Sequence, residues 1–436
     1  MPKQLLEKAK KVADHVQIYW LEEDVIPVKF KNSLLQKVFR KKNTHINLTI
    51  IKDGKSSTIY GTSFKDADIM VDQAVKSLEY GQTSTIDLPS KSPGQTRIYD
   101  KSTAGLSAQD LIGIGNDIIK KSQKYNKNNY QFNLLLSKEI NKVGVMNSNG
   151  LEATYSQTPY YINMGTPIPN STTDIVVDDV YNKYFDCKEE WLEALFIRRN
   201  SCKQNCSLPT DKMSVIFQGD TVGAIMFRLM EGVSGASIEQ GISPLIDKLD
   251  QQVFSKEMTI EDDPTLDWEI DSVPFDAEGV ATKKKTIIQE GILKNYIFDL
   301  HNAKKMGVES TGNGFRKTMF QKGFSIPVTP FSTNFIVKPG KTDEKEMIKD
   351  IKQGVLIDMV IGMHSGNIVQ GQYSMNIGLG YVIKNGKIQG RIQDAMVAGN
   401  IYEDFKNVVN MSNKLDRNFL GRSPAIHFKD ISIACK

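Results

Sequence analysis

The sequence predicts an α+β fold in which a mixed α/β amino-terminal domain precedes a sheet-rich, antiparallel or barrel-like carboxy-terminal domain. The length of 436 residues exceeds what one hydrophobic core usually supports, which favours two domains. In the first half, helical apolar stripes alternate with strand and hairpin signals. The second half is rich in glycine turns between alternating segments and contains few long helical patterns.

The amino terminus leads into a Lys/Glu-rich helix, and the first 90 residues then predict a strand, a hairpin and a second helix. Ile46–Ile51 alternates into Asp53-Gly54, which is a strong two-residue turn signal, and then into Thr58–Tyr60. Ser63, with an acidic residue three positions later, is typical of a helix start. The apolar stripe of that second helix consists of Val71, Ala74, Val75 and Leu78.

A linker rich in Ser and Pro, Asp87–Thr96, precedes a second unit. We expect a helix from Ala108, strands at Phe132–Ser137 and Lys142–Met146, and a helix over Glu189–Arg199. The polar stretch that follows sets the main boundary, so the predicted domains are 1–210, divisible into 1–90 and 97–210, and 211–436.

The carboxy-terminal half opens with a predicted strand, Met213–Phe217, that leads through Gly219-Asp220 into a helix over Val222–Met230. Hairpin turns follow at Glu290-Gly291 and Asn385-Gly386. Repeated strands around tight turns predict the sheet or barrel of this half.

Composition and charge narrow the class of protein. The formal charge of +4 is small and its basic runs are scattered, which weighs against a nucleic-acid partner. No run approaches the roughly 18 apolar residues that span a bilayer, and the amino terminus lacks the apolar core of a signal peptide. We therefore expect a cytoplasmic protein without membrane contact. Its four cysteines are too few and too unevenly placed for a disulfide framework, and the C-x3-C pair Cys202/Cys206 lacks a second pair, which favours reduced structural thiols.

Common catalytic signatures are missing from the sequence. None of the five histidines is followed by another at helical spacing, and neither a dinucleotide fingerprint nor a G-x-S-x-G elbow occurs. His364-Ser365 and Ser374 could suggest a serine hydrolase, but no acid partner can be identified for them. A site assembled from distant residues stays open at this point.

A series of separated motifs runs through the second half of the chain. They are Ala281–Thr282, Gly291–Tyr296, Asp299, Ala303–Gly307, Ser310–Arg316, Thr333–Phe335, Pro339–Gly340, Ile351, Gly354–Leu356, Asn367–Ser374 and Ala398–Ile401. In this order they resemble the motifs of the TldD/PmbA family, and the resemblance covers residues 210–436. Asn367–Ser374 is similar to the family element N-x-x-x-G-x-F/Y-S, and Ala398–Ile401 to its AGN turn.

The resemblance implies paired cytosolic subunits that process peptides, historically called modulators of DNA gyrase. In the active subunit, H-E-x-x-x-H and a cysteine near the carboxy terminus would hold zinc, which acidifies a bound water while the glutamate acts as base. By alignment, Phe227 and Gly232 stand at the histidine positions and Arg228 at the glutamate position, while Cys435 lies beyond the expected ligand cysteine. The chain thus resembles the TldE (PmbA) branch, and we expect zinc only in a partner subunit.

The expected site of this chain is therefore a groove rather than a catalytic centre. The candidates for lining a peptide groove are Gly312, Asn313, Asn367, Gly371, Tyr373 and Ser374. Glycines there would let a peptide backbone approach closely, although they could equally serve tight turns only. The expected partners are a zinc-bearing TldD-like subunit or a second copy of the chain, together with an extended peptide. The alternatives are an enzyme with a site elsewhere, a homodimeric peptide-binding or scaffold protein, and a regulator associated with gyrase or nucleic acid.

Overall fold

A computed structural model describes residues 1–84, 86–91, 93–319 and 321–435. Its helices are α1 (Pro2–Ala9), α2 (Ala67–Ser77), α3 (Lys101–Gly105), α4 (Ala108–Ser122), α5 (Glu189–Ser201), α6 (Gly219–Gly232), α7 (Gly235–Glu239), α8 (Leu300–Met306), α9 (Glu344–Lys349) and α10 (Ile401–Asp404). Among the described residues, no helix has both the length and the apolar character that crossing a membrane requires.

One antiparallel sheet forms the frame of the amino-terminal half. Its strands are β1 (His15–Lys31), β2 (Leu34–Val38), β3 (Lys41–Lys52), β4 (Lys55–Gly61), β5 (Gln82–Thr83), β6 (Asn133–Asn147), β7 (Glu152–Gln157), β8 (Tyr160–Pro167) and β9 (Asp174–Tyr181). They run in the order β5-β4-β3-β1-β6-β8-β9, with β2 beside β1 and β7 beside β6.

The local predictions for this half are largely confirmed. Asp53 and Gly54 join β3 to β4 with φ of 50° and 71°, as a primed two-residue turn requires. Ser107 caps α4 in a full capping box with Asp110. The two short strands predicted over 132–146 are instead one continuous strand, β6, because it pairs along its whole length with its neighbours β1, β7 and β8.

The two faces of the amino-terminal sheet have different neighbours. Val16, Ile18 and Trp20 of β1 are buried with residues of α1 and α2. Side chains alternate along a strand, so the intervening residues of β1 point to the other face, where Tyr19 and Leu21 pack near Phe275 of the carboxy-terminal half.

The strands of the carboxy-terminal half are numbered onward from β9. They are β10 (Asn205–Cys206), β11 (Asp211–Phe217), β12 (Ile260–Asp262), β13 (Lys285–Gln289), β14 (Ile292–Leu293), β15 (Gly314–Phe315), β16 (Thr329–Pro330), β17 (Phe335–Val337), β18 (Gln353–Ile361), β19 (Gln372–Lys384), β20 (Lys387–Ile392), β21 (Ala395–Asn400), β22 (Val408–Met411), β23 (Asp416–Asn418), β24 (Gly421–Ser423) and β25 (Ile426–Cys435).

Five of these strands close into a barrel. The path β10-β20-β19-β18-β11-β25-β21 bends back on itself because β21 also pairs with β19, from Gln372↔Asn400 to Asn376↔Met396. A second sheet runs β14-β13-β12-β17-β24-β23. The α+β prediction with a barrel-like second half is confirmed. Helix α6 follows β11 and packs against β18 of the barrel and against β23 and β24 of the second sheet.

Candidate functional site

Helix α6 carries the three positions that the resemblance aligns with two zinc-binding histidines and a catalytic glutamate. The helix starts where strand β11 ends, and it is buried along most of its length. Its burial follows from the apolar character of nearly every turn, since α6 has protein on both sides. What occupies Phe227, Arg228 and Gly232 therefore decides what this helix can do.

Phe227 is a core residue. Its side chain is 3% exposed and belongs to the largest apolar cluster. The ring centroid lies 6.4 Å from that of Phe331 and 6.2 Å from that of Phe419, which are normal separations for packed aromatic rings. The position contributes packing and no polar atom.

Arg228 is fully buried and binds backbone rather than a carboxylate. Its guanidinium donates four hydrogen bonds to carbonyl oxygens, from Nε to Gln372 at 2.6 Å, from Nη1 to Ala224 at 2.8 Å, and from Nη2 to Met363 at 3.0 Å and Ser365 at 2.8 Å. Burial lowers the pKa of Arg228 to about 10, against the opposing effect of Tyr373, so it stays a cation at neutral pH. The arginine thereby ties α6 to the segment 362–374, which we call the arginine-bound loop.

Tyr402 covers Gly232. A Cβ atom at Gly232 would lie 2.1 Å from the Tyr402 hydroxyl, and one at Gly371 would lie 2.5 Å from the Tyr402 ring. The tyrosine is thus wedged between two glycines, and its hydroxyl donates to the Val369 carbonyl at 3.1 Å. Asn400, from the AGN turn, caps α10 by accepting from the Tyr402 amide and so fixes the backbone that bears the ring.

These three side chains do not fit a zinc ion on α6. Zinc in proteins is held by Cys, His and carboxylate side chains, and Phe227, Arg228 and Gly232 offer none of these groups. A buried cation at the centre would also repel a metal. Within the described ranges, no group of three or more His, Cys, Asp or Glu side chains is arranged to hold a metal ion.

The groove candidates fall into two separate groups. Asn313 is fully buried, with its amide donating to Asp262 at 2.8 Å and to the Phe331 carbonyl at 2.9 Å. Gly312 beside it is buried, and a Cβ there would meet the Ala281 carbonyl at 2.6 Å. Both residues therefore make internal contacts beside the second sheet.

The other four candidates lie on the arginine-bound loop. Tyr373 is 3% exposed, lies 5.7 Å from the guanidinium and donates to Asp404 at 2.7 Å. Gly371 is covered by Tyr402, whereas Ser374 is half-buried and Asn367 is exposed. The exposed surface of the arginine-bound loop is thus where these candidates reach solvent.

The environment of one carboxyl group near this site was not predicted from the sequence. Glu231 is half-buried on α6, and burial raises its pKa to about 7. Its position between Met230 and Gly232 was visible in the sequence, but the cover supplied by distant segments was not. Cys435, in contrast, lies on barrel strand β25 beside Ala395.

A family model described as the PmbA/TldA metallopeptidase C-terminal domain matches residues 210–435, which include α6, the arginine-bound loop and the AGN turn. The chain belongs to the TldD/PmbA family. This confirms the resemblance drawn from the separated motifs.

Relatives in the TldD/PmbA family match at similar identity but over different lengths. An uncharacterized protein of Methanocaldococcus jannaschii is 29% identical over 88% of each chain. The metalloprotease PmbA of Escherichia coli O157:H7 is 27% identical over 52% of this chain and 47% of its own length. A metalloprotease of Archaeoglobus fulgidus is 29% identical over 49% of each. The alignment therefore spans about half the length of these metalloprotease-named family members.

Solved structures share the TldD/PmbA fold over the whole chain. TldE from Thermococcus kodakarensis superimposes with a TM-score of 0.86 at 21% identity and covers 99% of both chains. A protein described as a modulator of a DNA gyrase from Thermotoga maritima superimposes with a TM-score of 0.84 at 23% identity, also over 99% of both. At these identities the likeness establishes the fold alone.

Proposed function

We propose that this chain is a non-catalytic subunit of a cytosolic TldD/TldE-type metallopeptidase complex that acts on unfolded peptides. It pairs with a zinc-bearing relative, which supplies H-E-x-x-x-H, and contributes structure and peptide contacts to the assembly. The metalloprotease names within the family support the reaction class, and the likeness to TldE supports the branch.

The single observation that carries this proposal is that Arg228 is a buried cation whose guanidinium binds backbone carbonyls. A peptidase of this kind needs a carboxylate base and a metal at the centre of α6. The arginine instead places a permanent cation there, with its donors bound to one carbonyl of α6 and three carbonyls of the arginine-bound loop. Phe227 and the Tyr402 wedge over Gly232 fill the flanking positions, so no single side-chain movement restores a metal site.

For the peptide contact we propose the exposed side of the arginine-bound loop. Asn367 is exposed there, while Arg228 holds the carbonyls of Met363 and Ser365 from beneath. This attachment keeps the loop in one conformation, which lowers the entropic cost of ordering a partner on it.

The test uses the purified chain alone, a zinc-bearing family member alone, and the two co-expressed. Metal content is measured by elemental mass spectrometry and cleavage is followed on an unstructured peptide. We expect zinc in the relative and not in this chain, and faster cleavage by the co-purified pair than by either part. A matched control replaces the glutamate of the relative's H-E-x-x-x-H by glutamine, which should abolish cleavage by the pair.

Two outcomes would overturn the proposal. Stoichiometric zinc together with cleavage by the lone chain would show that it is an enzyme with a site elsewhere. A chain that forms only a stable self-dimer in the presence of the relative, with no effect on cleavage, would favour the homodimeric scaffold.

A further inference from the structure

A cavity of about 420 Å³ lies between the amino-terminal sheet and the carboxy-terminal half, away from the three aligned positions of α6. Its floor is the face of β1, β6 and β7 opposite α1 and α2. Its roof consists of residues 270–277, 315–317, 322–324 and 332–333. Ligand cavities of a few hundred Å³ between two structural layers are of a size to hold a small molecule or a few peptide residues.

The strand register builds a row of hydrogen-bond acceptors across this floor. Glu23 of β1 is directly opposite Asn141 of β6, which is directly opposite Gln157 of β7. Directly paired residues of antiparallel strands project to the same face about 5 Å apart, and all three line the cavity. Glu139, two residues along β6, adds a carboxylate to this acceptor row.

Two members of the acceptor row are left with free acceptor atoms. Asn141 is 7% exposed, and its Nδ2 donates to Glu139 at 3.2 Å. Because a carboxylate only accepts, this bond fixes the amide orientation and leaves Asn141 Oδ1 free. Asn141 Oδ1 and Gln157 Oε1 are buried without a hydrogen-bond partner among the described residues. Buried polar atoms of this kind are rare in folded proteins and call for a partner.

The carboxylates of the row lack a full cationic partner. Burial raises the pKa of Glu139, and no ion pair within 4.0 Å involves it in the described part of the chain. Glu23 Oε1 lies 3.6 Å from His45 Nε2 and also accepts a hydrogen bond from the neutral Asn43 amide. The roof lysines Lys317 and Lys322 are directed to Asp271, at 4.0 and 3.6 Å. A cation placed at the acceptor row would therefore give a partner to Asn141 Oδ1 and Gln157 Oε1, which have none among the described residues.

The opposite end of the cavity presents free donors. Arg316 Nε and Ser332 Oγ are buried without a hydrogen-bond partner among the described residues, although Arg316 Nη1 donates to the Ile326 carbonyl at 2.8 Å. Arg316 and Tyr19 both line the cavity, and the guanidinium opposes the rise of the Tyr19 pKa to about 12 that burial causes. Tyr19 and Glu23 are four residues apart on β1, which places Tyr19 about 13 Å along the strand from Glu23 of the acceptor row.

Between the two ends the surface is apolar and aromatic. Tyr19 stacks on Phe324 with centroids 5.1 Å apart, and Leu21, Val143 and Tyr155 continue this floor. The lining of the cavity is therefore complementary to a ligand with a cation at one end, hydrogen-bond acceptors at the other end and an apolar group between them.

We propose that this cavity binds the amino-terminal end of a peptide, about three residues long, with its α-ammonium at the acceptor row formed by Glu23, Asn141 and Gln157. An ammonium has three donors, which matches three acceptor side chains on one face. Three extended residues span about 10 Å, so the following carbonyls reach towards Arg316 and Ser332. An apolar first side chain rests on Tyr19 and Phe324. The choice of a peptide over another amine rests on the proposed function, whereas the ammonium site rests on the geometry alone.

The test measures binding to the purified chain by isothermal titration calorimetry, without a zinc-bearing partner. The probes are the tripeptide amide Phe-Ala-Ala and its N-acetyl counterpart. We expect the free amine to bind at least tenfold more tightly than the acetylated peptide. Asn141→Leu should remove this discrimination, and Glu139→Gln should reduce it. Glu152→Gln, on the exposed part of β7, is the matched control and should leave binding unchanged.

Equal binding of the two peptides, binding of neither, or binding unaffected in both Asn141→Leu and Glu139→Gln would overturn the ammonium site. Tight binding of phenethylamine and not of the peptide would support the ammonium site and contradict the proposal that its ligand is a peptide. Circular dichroism checks that each variant is folded, and Glu139→Gln serves alone if Asn141→Leu is not. Because no cleavage is measured, these results are independent of the zinc and activity assays that test the proposed function.

Discussion

Replacing Arg228 with methionine should destabilise the carboxy-terminal half by about 3–5 kcal/mol. The change keeps an unbranched apolar stem on α6 but removes all four hydrogen bonds from the guanidinium to backbone carbonyls. Arg228→Lys should fall between the wild type and methionine, because one ammonium cannot reproduce the planar fork that binds carbonyls on both sides.

The magnitude follows from two opposing contributions. Hydrogen bonds from a charged donor each contribute about 1.5–3 kcal/mol, so four give roughly 6–12 kcal/mol before costs. Burying the cation offsets part of this, since the fall in the pKa of Arg228 from 12.5 to about 10 corresponds to roughly 3 kcal/mol. The difference is a loss of roughly 3–9 kcal/mol. In the variant, water can reach the carbonyls of the half-exposed loop residues Met363 and Ser365, so we expect a loss in the lower part of this range.

Urea denaturation followed by tryptophan fluorescence and circular dichroism measures the loss, and limited proteolysis reports whether the arginine-bound loop is released. Arg97→Met is the matched control and is read by circular dichroism, because Arg97 lies 4.8 Å from the ring centre of Trp268. Arg97 is 70% exposed, so this contact and its pair with Asp267, at 3.8 Å, are surface contacts worth at most about 1 kcal/mol each. If Arg228→Met were as stable as the wild type and as resistant to protease, the arginine would not be holding the loop, and the reasoning about α6 would be wrong.

Three further predictions concern the same region and the contact between the two halves. Gly232→Ala should lower the free energy of unfolding by about 1–3 kcal/mol in the wild type but by less than about 1 kcal/mol in a Tyr402→Phe background, which lacks the hydroxyl 2.1 Å from the new Cβ. A double-mutant cycle by urea denaturation measures the difference. Equal losses in both backgrounds would show that the Tyr402 hydroxyl does not occupy the space over Gly232. Glu231→Gln should stabilise the protein by roughly 2 kcal/mol at pH 8 and leave its stability unchanged at pH 4. The pKa of Glu231 in the folded protein, about 7, lies above its value in the unfolded chain, so the wild type loses stability as the pH rises from the unfolded to the folded pKa, and the glutamine variant does not. Equal dependence of the unfolding free energy on pH in the two proteins would refute this prediction. Arg422→Met should cost about 3–5 kcal/mol at pH 7 and less at pH 5, because the cation pairs with Glu269 at 2.7 Å and Asp179 at 3.0 Å, and burial raises the pKa of Glu269, so that Glu269 can take up a proton once the cation is gone; a loss independent of pH would contradict this account.

Local sequence signals predicted most of the elements around these sites. The turns at Glu290-Gly291 and Asn385-Gly386 have positive φ at both residues, because only such turns match the twist of adjoining antiparallel strands. The helix over 222–230 was recognised three residues short at its start, since Gly219 is a poor helix former. That glycine is needed because a Cβ there would lie 2.3 Å from the Ser423 carbonyl, a contact that local sequence does not reveal.

The sites themselves were only partly predictable. The loss of the motif at Phe227, Arg228 and Gly232 was visible from alignment, but the Tyr402 wedge depends on a residue about 170 positions away. The acceptor row was not predicted at all, because Glu23, Asn141 and Gln157 meet only through the register of three strands. Polar residues on alternating strand positions look like a solvated face until the covering segment is known.

The closed barrel has a consequence for the order of folding in time. Strand β25 pairs with β11, β21 and β22, and it comes after every other barrel strand in the chain. Until Ile426–Cys435 has been synthesised, β11 and β21 each have an edge without its native neighbour, and such edges are prone to pair with other chains. The parallel pairing of β11 with β18, whose partners are 140 positions apart in the chain, adds a slow long-range step. The half of the protein that holds α6 thus depends on protection of its strands during translation, a need that a chaperone bound to the nascent chain would meet.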